Sequence, residues 1–280
     1  MRISRILRII GLVTGAAVLF LLLAIMFIPG RTIFEAANSG LSPYGLKLEA
    51  VSFGKAFPIG ISGKGITLSS ESGELLKLRS GRLALELLPL LVGKVCISVR
   101  AEIGSGSLVS SMSILRSPST KIEVKNVRLE DIPFFQTVAG IKASGILSGK
   151  AEAKGLISKA KGYLQLEVDG ADLTGIKIGE MPLPDASYRK VQGMVRINNG
   201  IASIESFTLQ GDELYVRLKG GLPLIDPLQA TPLNLSLELM PKPSLLDKQK
   251  LIFLLLVKFQ DTPGHYLIPV KGTLGKPQIL

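Results

Sequence analysis

Val191-Gln192-Gly193-Met194-Val195-Arg196-Ile197-Asn198-Asn199-Gly200-Ile201 is the stretch that decides the fold. An alternating run leads into Asn199-Gly200, and a second run, residues 201–210, returns from it. An Asn-Gly pair between two such runs is a strong local signal for a β-hairpin. Gly211-Asp212 supplies the next turn, so residues 187–220 read as a three-strand meander.

The same period extends outward. Leu164, Leu166 and Val168 alternate with Tyr163, Gln165, Glu167 and Asp169. Leu214, Val216 and Leu218 alternate with Glu213, Tyr215, Arg217 and Lys219, and Leu233, Leu235, Leu237 and Leu239 with Asn234, Ser236 and Glu238. One apolar and one polar face per run is the pattern of a half-buried antiparallel strand. About a dozen such runs follow residue 45, spaced 8–14 residues apart with little helix between them, which argues against βαβ units. Glycines inside them, as in Ala143-Ser144-Gly145-Ile146-Leu147-Ser148-Gly149, mark bulges or close backbone approaches.

Helix interrupts this pattern in few places. Residues 32–38 suit a short helix. Residues 131–138 suit another, with Asp131 as cap and Pro133 in the first turn. Residues 244–259 suit a third, in which Ser244 and Asp247 approximate a capping box. Its apolar run, 251–257, is too short to span a bilayer and is expected to plug the end of the sheet. Residues 265–274 form the last strand.

The chain of 280 residues opens differently. Residues 9–28, IIGLVTGAAVLFLLLAIMFI, carry no charge. Twenty helical residues span about 30 Å, the thickness of a bilayer core. Arg2, Arg5 and Arg8 precede the run and only Arg31 closely follows it, so the positive-inside bias puts the N-terminus in the cytoplasm. The run is longer than a cleaved signal peptide's core, and Pro29-Gly30-Arg31 is not a small-x-small cleavage site. The expected organisation is a basic tip and signal anchor over 1–30, a linker or short helix over 31–45, and a β domain over 46–280 beyond the membrane.

Chemistry is sparse. One Cys and one His leave no disulfide framework and no multi-His or Cys/His metal cluster, so no metal or cofactor is expected. Nucleotide-binding and hydrolase motifs are missing. Asp169 with Asp172 and Glu205 with Asp212 read as solvated carboxylates. His265 reads as a surface residue without a carboxylate near it, and Cys96 as a small buried strand residue. No catalytic residue is assigned. The net charge of +11 is spread along the chain and aromatics are 5%, which disfavours nucleic acid and suits a surface facing acidic lipid headgroups.

The order of segments carries a resemblance. A signal anchor is followed by Leu46-Lys47-Leu48-Glu49-Ala50-Val51-Ser52-Phe53 and by Phe57-Pro58-Ile59-Gly60-Ile61-Ser62-Gly63-Lys64-Gly65-Ile66-Thr67-Leu68. The 143–149 stretch and the Asn199-Gly200 hairpin come next, and Ile268-Pro269-Val270-Lys271-Gly272-Thr273-Leu274-Gly275-Lys276-Pro277 closes the chain. Over nearly its whole length this resembles the type II secretion system protein N family in its delta-proteobacterial form, itself similar to AsmA-like proteins. The resemblance implies a single-pass bacterial inner-membrane protein with a periplasmic, elongated, curved, mostly antiparallel β domain. It implies an accessory role in type II secretion through contacts with other secretion components, and no catalytic residues. The AsmA-like side implies the alternative, a lipid-binding or lipid-transfer module whose apolar groove takes acyl chains. Leu164, Leu166, Val168, Leu214, Val216, Leu218, Leu235, Leu237 and Leu239 are the candidate groove residues. Alternation does not distinguish an open groove from a closed sandwich.

Overall fold

A computed structural model describes residues 30–56, 59–90, 92–115, 118–155, 159–178, 180–225, 230–274 and 276–279. The expected anchor, residues 9–28 with Arg2, Arg5 and Arg8, lies outside them. Among the described residues no helix is long and apolar enough to cross a membrane.

The chain begins with helix α1 (Gly30–Leu41), longer at both ends than the sequence suggests. Strands β1 (Lys47–Ala56), β2 (Gly60–Ser70) and β3 (Gly73–Glu86) follow, then the one-turn helix α2 (Leu87–Leu90). Next come β4 (Cys96–Ile103), β5 (Gly106–Ser113) and β6 (Ser119–Arg128), helix α3 (Phe134–Ala139), β7 (Lys142–Lys154) and β8 (Lys161–Thr174). A two-strand ribbon, β9 (Lys177–Ile178) and β10 (Met181–Pro182), precedes β11 (Ala186–Asn198), β12 (Ile201–Gly211), β13 (Leu214–Pro223) and β14 (Asn234–Pro241). Helices α4 (Pro243–Lys248) and α5 (Lys250–Leu255) lead to β15 (Gln260–Thr262), β16 (His265–Thr273) and β17 (Lys276–Ile279).

All strands except β9 and β10 join one antiparallel sheet, in which each strand from β1 to β14 pairs with its neighbours in chain order. The β11–β12–β13 meander is the one read from the sequence. Its turn uses Asn199 (φ 49°) and Gly200 (φ 73°), both left-handed, as a two-residue hairpin of this hand requires. Gly145 (φ 129°) sits where the β7–β8 register slips by one residue, so the glycine there does mark a bulge.

Several local expectations are corrected. The sheet holds more strands than a dozen, because short segments such as β15 and β17 have no alternation long enough to read. Residues 244–259 do not form one helix. The chain breaks at Gln249 (φ −121°, ψ 40°), whose side chain bonds the Asp185 backbone, donating to its oxygen (2.7 Å) and accepting from its N–H (3.1 Å). Lys242, not Ser244, holds the N-cap position, and no side chain caps the helix. Asp131 ends a 3₁₀ turn and does not cap α3, whose N-cap is Pro133. Cys96 is half-buried, because it starts its strand opposite Glu86 and Ser113. β16 stops at Thr273, and β17 follows it.

The largest cluster of buried residues lies in the later strands, with Ala101, Ile103 and Val127 buried in the earlier ones. Leu239, Leu256 and Ile268 are almost fully enclosed, with Tyr188, Leu214, Val216, Leu245, Phe253 and Tyr266 around them. Helices α4 and α5 supply Leu245 and Phe253, so this segment does plug the sheet. The stretch after β8 closes the remaining side: Leu183 joins the core, and β9 touches β17. At the opposite edge α1 lies along β1. Phe34 packs on Phe53 with ring centroids 5.1 Å apart. The Asn38 amide donates to the Leu48 oxygen (2.9 Å) and accepts from the Leu48 N–H (2.7 Å), satisfying backbone groups on an edge strand.

Candidate functional site

Residues directly opposite in an antiparallel ladder share a face. One row of such partners can therefore be followed across the whole sheet. It runs Phe53, Gly63, Gly81, Ala101, Leu108, Val124 and Gly149 from β1 to β7. It continues as Leu166, Gly193, Phe207, Leu218, Leu237 and Ile268 from β8 to β16. No polar side chain interrupts it. At a strand spacing of about 4.8 Å it is about 58 Å long.

Flanking rows keep the same character. Leu147, Val168, Val191, Leu209, Val216, Leu239 and Tyr266 are successive partners. So are Ile122, Ala151, Leu164, Val195, Ile204, Gly220, Leu235 and Val270. The candidate groove residues Leu164, Leu166, Val168, Val216, Leu218, Leu235, Leu237 and Leu239 all fall in these rows. Leu214 lines the same cavity as Val216 and Leu218.

The opposite face is charged. Cross-strand pairs join Lys219 to Glu238 and Arg196 to Glu205, both at 2.6 Å. Asp212 meets Arg189 at 3.1 Å, so of the carboxylates singled out in the sequence Glu205 and Asp212 engage cations. Asp172 is within reach of the Ser144 hydroxyl (3.4 Å). His265 does have a carboxylate nearby: its Nδ1 lies 3.6 Å from Asp261. The hydrogen-bonded Lys248 ammonium (2.6 Å) holds the Glu213 carboxyl below its ordinary pKa and ties α4 to the β12–β13 turn. Among the described residues no group of His, Cys, Asp and Glu is placed to hold a metal.

The two faces carry different cavities. Over β11–β16 a cavity of about 460 Å³ is lined by aliphatic side chains, prolines, Phe207 and Tyr188. Burial pushes the Tyr188 hydroxyl well above the ordinary tyrosine pKa. Over β1–β5 a groove of about 500 Å³ opens on the polar face, lined by serines, Lys64, Arg82, Arg100, Glu102 and Val109, while on the apolar face the Ile66 side chain lies over Gly63 and Gly81. On the apolar face Leu83 (38% exposed) of β3, Met112 (45%) of β5, Ile122 (37%) of β6 and Leu164 (37%) of β8 are open to solvent. Sequence reasoning missed the N-terminal half of this face. The glycines and Ala101 carry no alternation signal, and only their register reveals them.

No family model matches the chain, and no curated protein or solved structure does either. The secretion-family resemblance therefore stands on the quoted residues alone.

Proposed function

We propose that this chain is a membrane-anchored lipid-binding module of AsmA-like character, which holds acyl chains along the apolar face of its sheet. The observation that carries this reading is the unbroken row from Phe53 to Ile268, with exposed aliphatic side chains beside it. Soluble proteins rarely leave an extended apolar surface open unless something binds there. One leaflet's hydrocarbon is about 15 Å deep, so the row has room for several acyl chains end to end. Each methylene buried gains about 0.8 kcal/mol, while a directional polar site is not required. In this reading residues 9–28 hold the protein in a bacterial inner membrane and the sheet lies in the periplasm.

The test is lipid extraction and native mass spectrometry of the purified full chain, with Leu164→Glu beside it. Leu164 is half-exposed, so the carboxylate stays hydrated and the fold survives. Phospholipid in the wild type, lost or sharply reduced in Leu164→Glu, is the expected result. Wild-type protein free of lipid, or a Leu164→Glu chain that retains its full complement, overturns the proposal.

A further inference from the structure

The cavity over β11–β16 is enclosed at one end and open at the other. Its wall runs along β13 from Leu214 to Leu222, eight residues or about 27 Å. At the Leu214 end, Leu214, Leu239 and Tyr188 are almost fully buried. At the other end Leu274, whose N–H donates to the Thr231 oxygen, is 50% exposed. The 175–185 connection crosses over the cavity. Ile176, Leu183 and Pro184 line it, and β9 reaches β17. The Gly175 N–H donates to the Asp185 carboxylate (2.8 Å) and Gln249 holds the Asp185 backbone, which fixes the base of this strap.

Volume and lining restrict the occupant. An aliphatic and aromatic cavity of about 150 Å³ takes one benzene ring, so about 460 Å³ has room for about eighteen carbon atoms. Among the described lining residues every side chain is apolar except for the Tyr188 phenol. Tyr188 is 3% exposed, and among the described residues its hydroxyl has no hydrogen-bond partner, burial being the one influence on its pKa. A buried phenol ordinarily finds a partner. Water does not fit that role here, because a buried water needs several polar neighbours and these walls offer one. With no cation among the described lining residues, a charged headgroup would lose its hydration without compensation.

We infer that this cavity is a site for one long-chain lipid that ends in an uncharged oxygen group. The chain lies along β13, and its oxygen accepts a hydrogen bond from the Tyr188 hydroxyl at the enclosed end. This site rests on the acyl-binding reading for its hydrocarbon chain, and adds the headgroup and the place that holds it. Leu164, which tests the open face, lies outside its lining.

The full chain, stripped of lipid and held in amphipol, is titrated with radiolabelled 1-hexadecanol, n-hexadecane and hexadecyl sulfate. The wild type takes up one hexadecanol per chain. Tyr188→Phe keeps the ring and weakens hexadecanol binding about fivefold, the worth of one neutral hydrogen bond, while hexadecane binding is unchanged. Leu218→Trp, its fold confirmed by circular dichroism, fills the cavity and brings both ligands down to the level of amphipol alone. Hexadecyl sulfate, permanently charged, binds at least about tenfold more weakly than hexadecanol. Leu164→Glu binds hexadecanol as the wild type does, so failure at the open face and failure at this cavity are told apart. No uptake of hexadecanol, equal affinity in the wild type and Tyr188→Phe, uptake that survives in folded Leu218→Trp, loss of uptake in Leu164→Glu, or hexadecyl sulfate bound as tightly as hexadecanol overturns the inference.

Discussion

The two ends of the sheet share one apolar row but fill it with different volumes. From β1 to β5 the row reads Phe53, Gly63, Gly81, Ala101 and Leu108, with Phe34 of α1 on Phe53 and Ile66 over Gly63 and Gly81. From β12 to β16 it reads Phe207, Leu218, Leu237 and Ile268, where α4, α5 and the 175–185 connection add core residues beside a cavity of about 460 Å³. The contrast separates two uses of alternation. Bulky residues with a cover make a core that holds the fold together. Small residues keep the pleat and are overlaid by a neighbour's side chain, while farther along β3, β5 and β6 Leu83, Met112 and Ile122 stay exposed.

The largest expected consequence of this contrast comes from placing a carboxylate on each side. Val216→Glu buries a charge in the closed part, where Val216 is 5% exposed, and costs more than about 4 kcal/mol. Leu83→Glu stays hydrated on the open face and costs less than about 1 kcal/mol. Urea denaturation of the two variants checks this. Equal losses would mean that the N-terminal face is as covered as the C-terminal one.

A smaller effect sharpens the same boundary through glycine. A β-carbon at Gly193 would meet Phe207 at 2.8 Å and Leu166 at 3.0 Å, whereas at Gly54 nothing lies within 4 Å. Gly193→Ala is expected to destabilise by about 1–3 kcal/mol through overpacking. Gly54→Ala is expected to be neutral or stabilising by up to about 1 kcal/mol, since it restricts the unfolded chain. Thermal unfolding distinguishes them, and a Gly193→Ala chain as stable as the wild type would show that the closed face has room to give.

The smallest effect is a pH dependence. Burial raises the folded-state pKa of Tyr188, and to a lesser degree that of Tyr266. The unfolded chain then releases its phenolic protons first. The stabilisation is complete below the ordinary tyrosine pKa of about 10 and is lost as pH rises above it. Tyr188→Phe flattens that decline in an alkaline stability profile. A variant that declines as steeply as the wild type would place the phenol in contact with water.

Reading the sequence recovered what is local. The Asn199-Gly200 hairpin and the alternation of Leu164-Leu166-Val168, Leu214-Val216-Leu218 and Leu235-Leu237-Leu239 are written in neighbouring residues. The structure puts these side chains on one face because antiparallel pairing preserves parity from strand to strand. What failed depended on distant partners. The helical pattern of 244–259 gave no hint of its break, because Gln249 is held by Asp185, 64 residues away. Cys96 carried a strand-like context, but its position at the beginning of a strand was set by pairing.

Composition and period determined by themselves that the chain is mainly β, antiparallel and amphipathic, with an uncharged leading segment. They did so because side-chain direction in a strand follows a period of two. Whether the apolar face would be open or closed was decided only in three dimensions. Closure depends on which segments reach back across the sheet. Leu183, Leu245, Phe253 and Leu256 do so over the later strands, while α3, reaching from the end of β6 back to β3, leaves Met112 and Ile122 open. Long-range contacts of this kind are fixed by shape and volume at sites far apart in the chain, and no local window of sequence contains them.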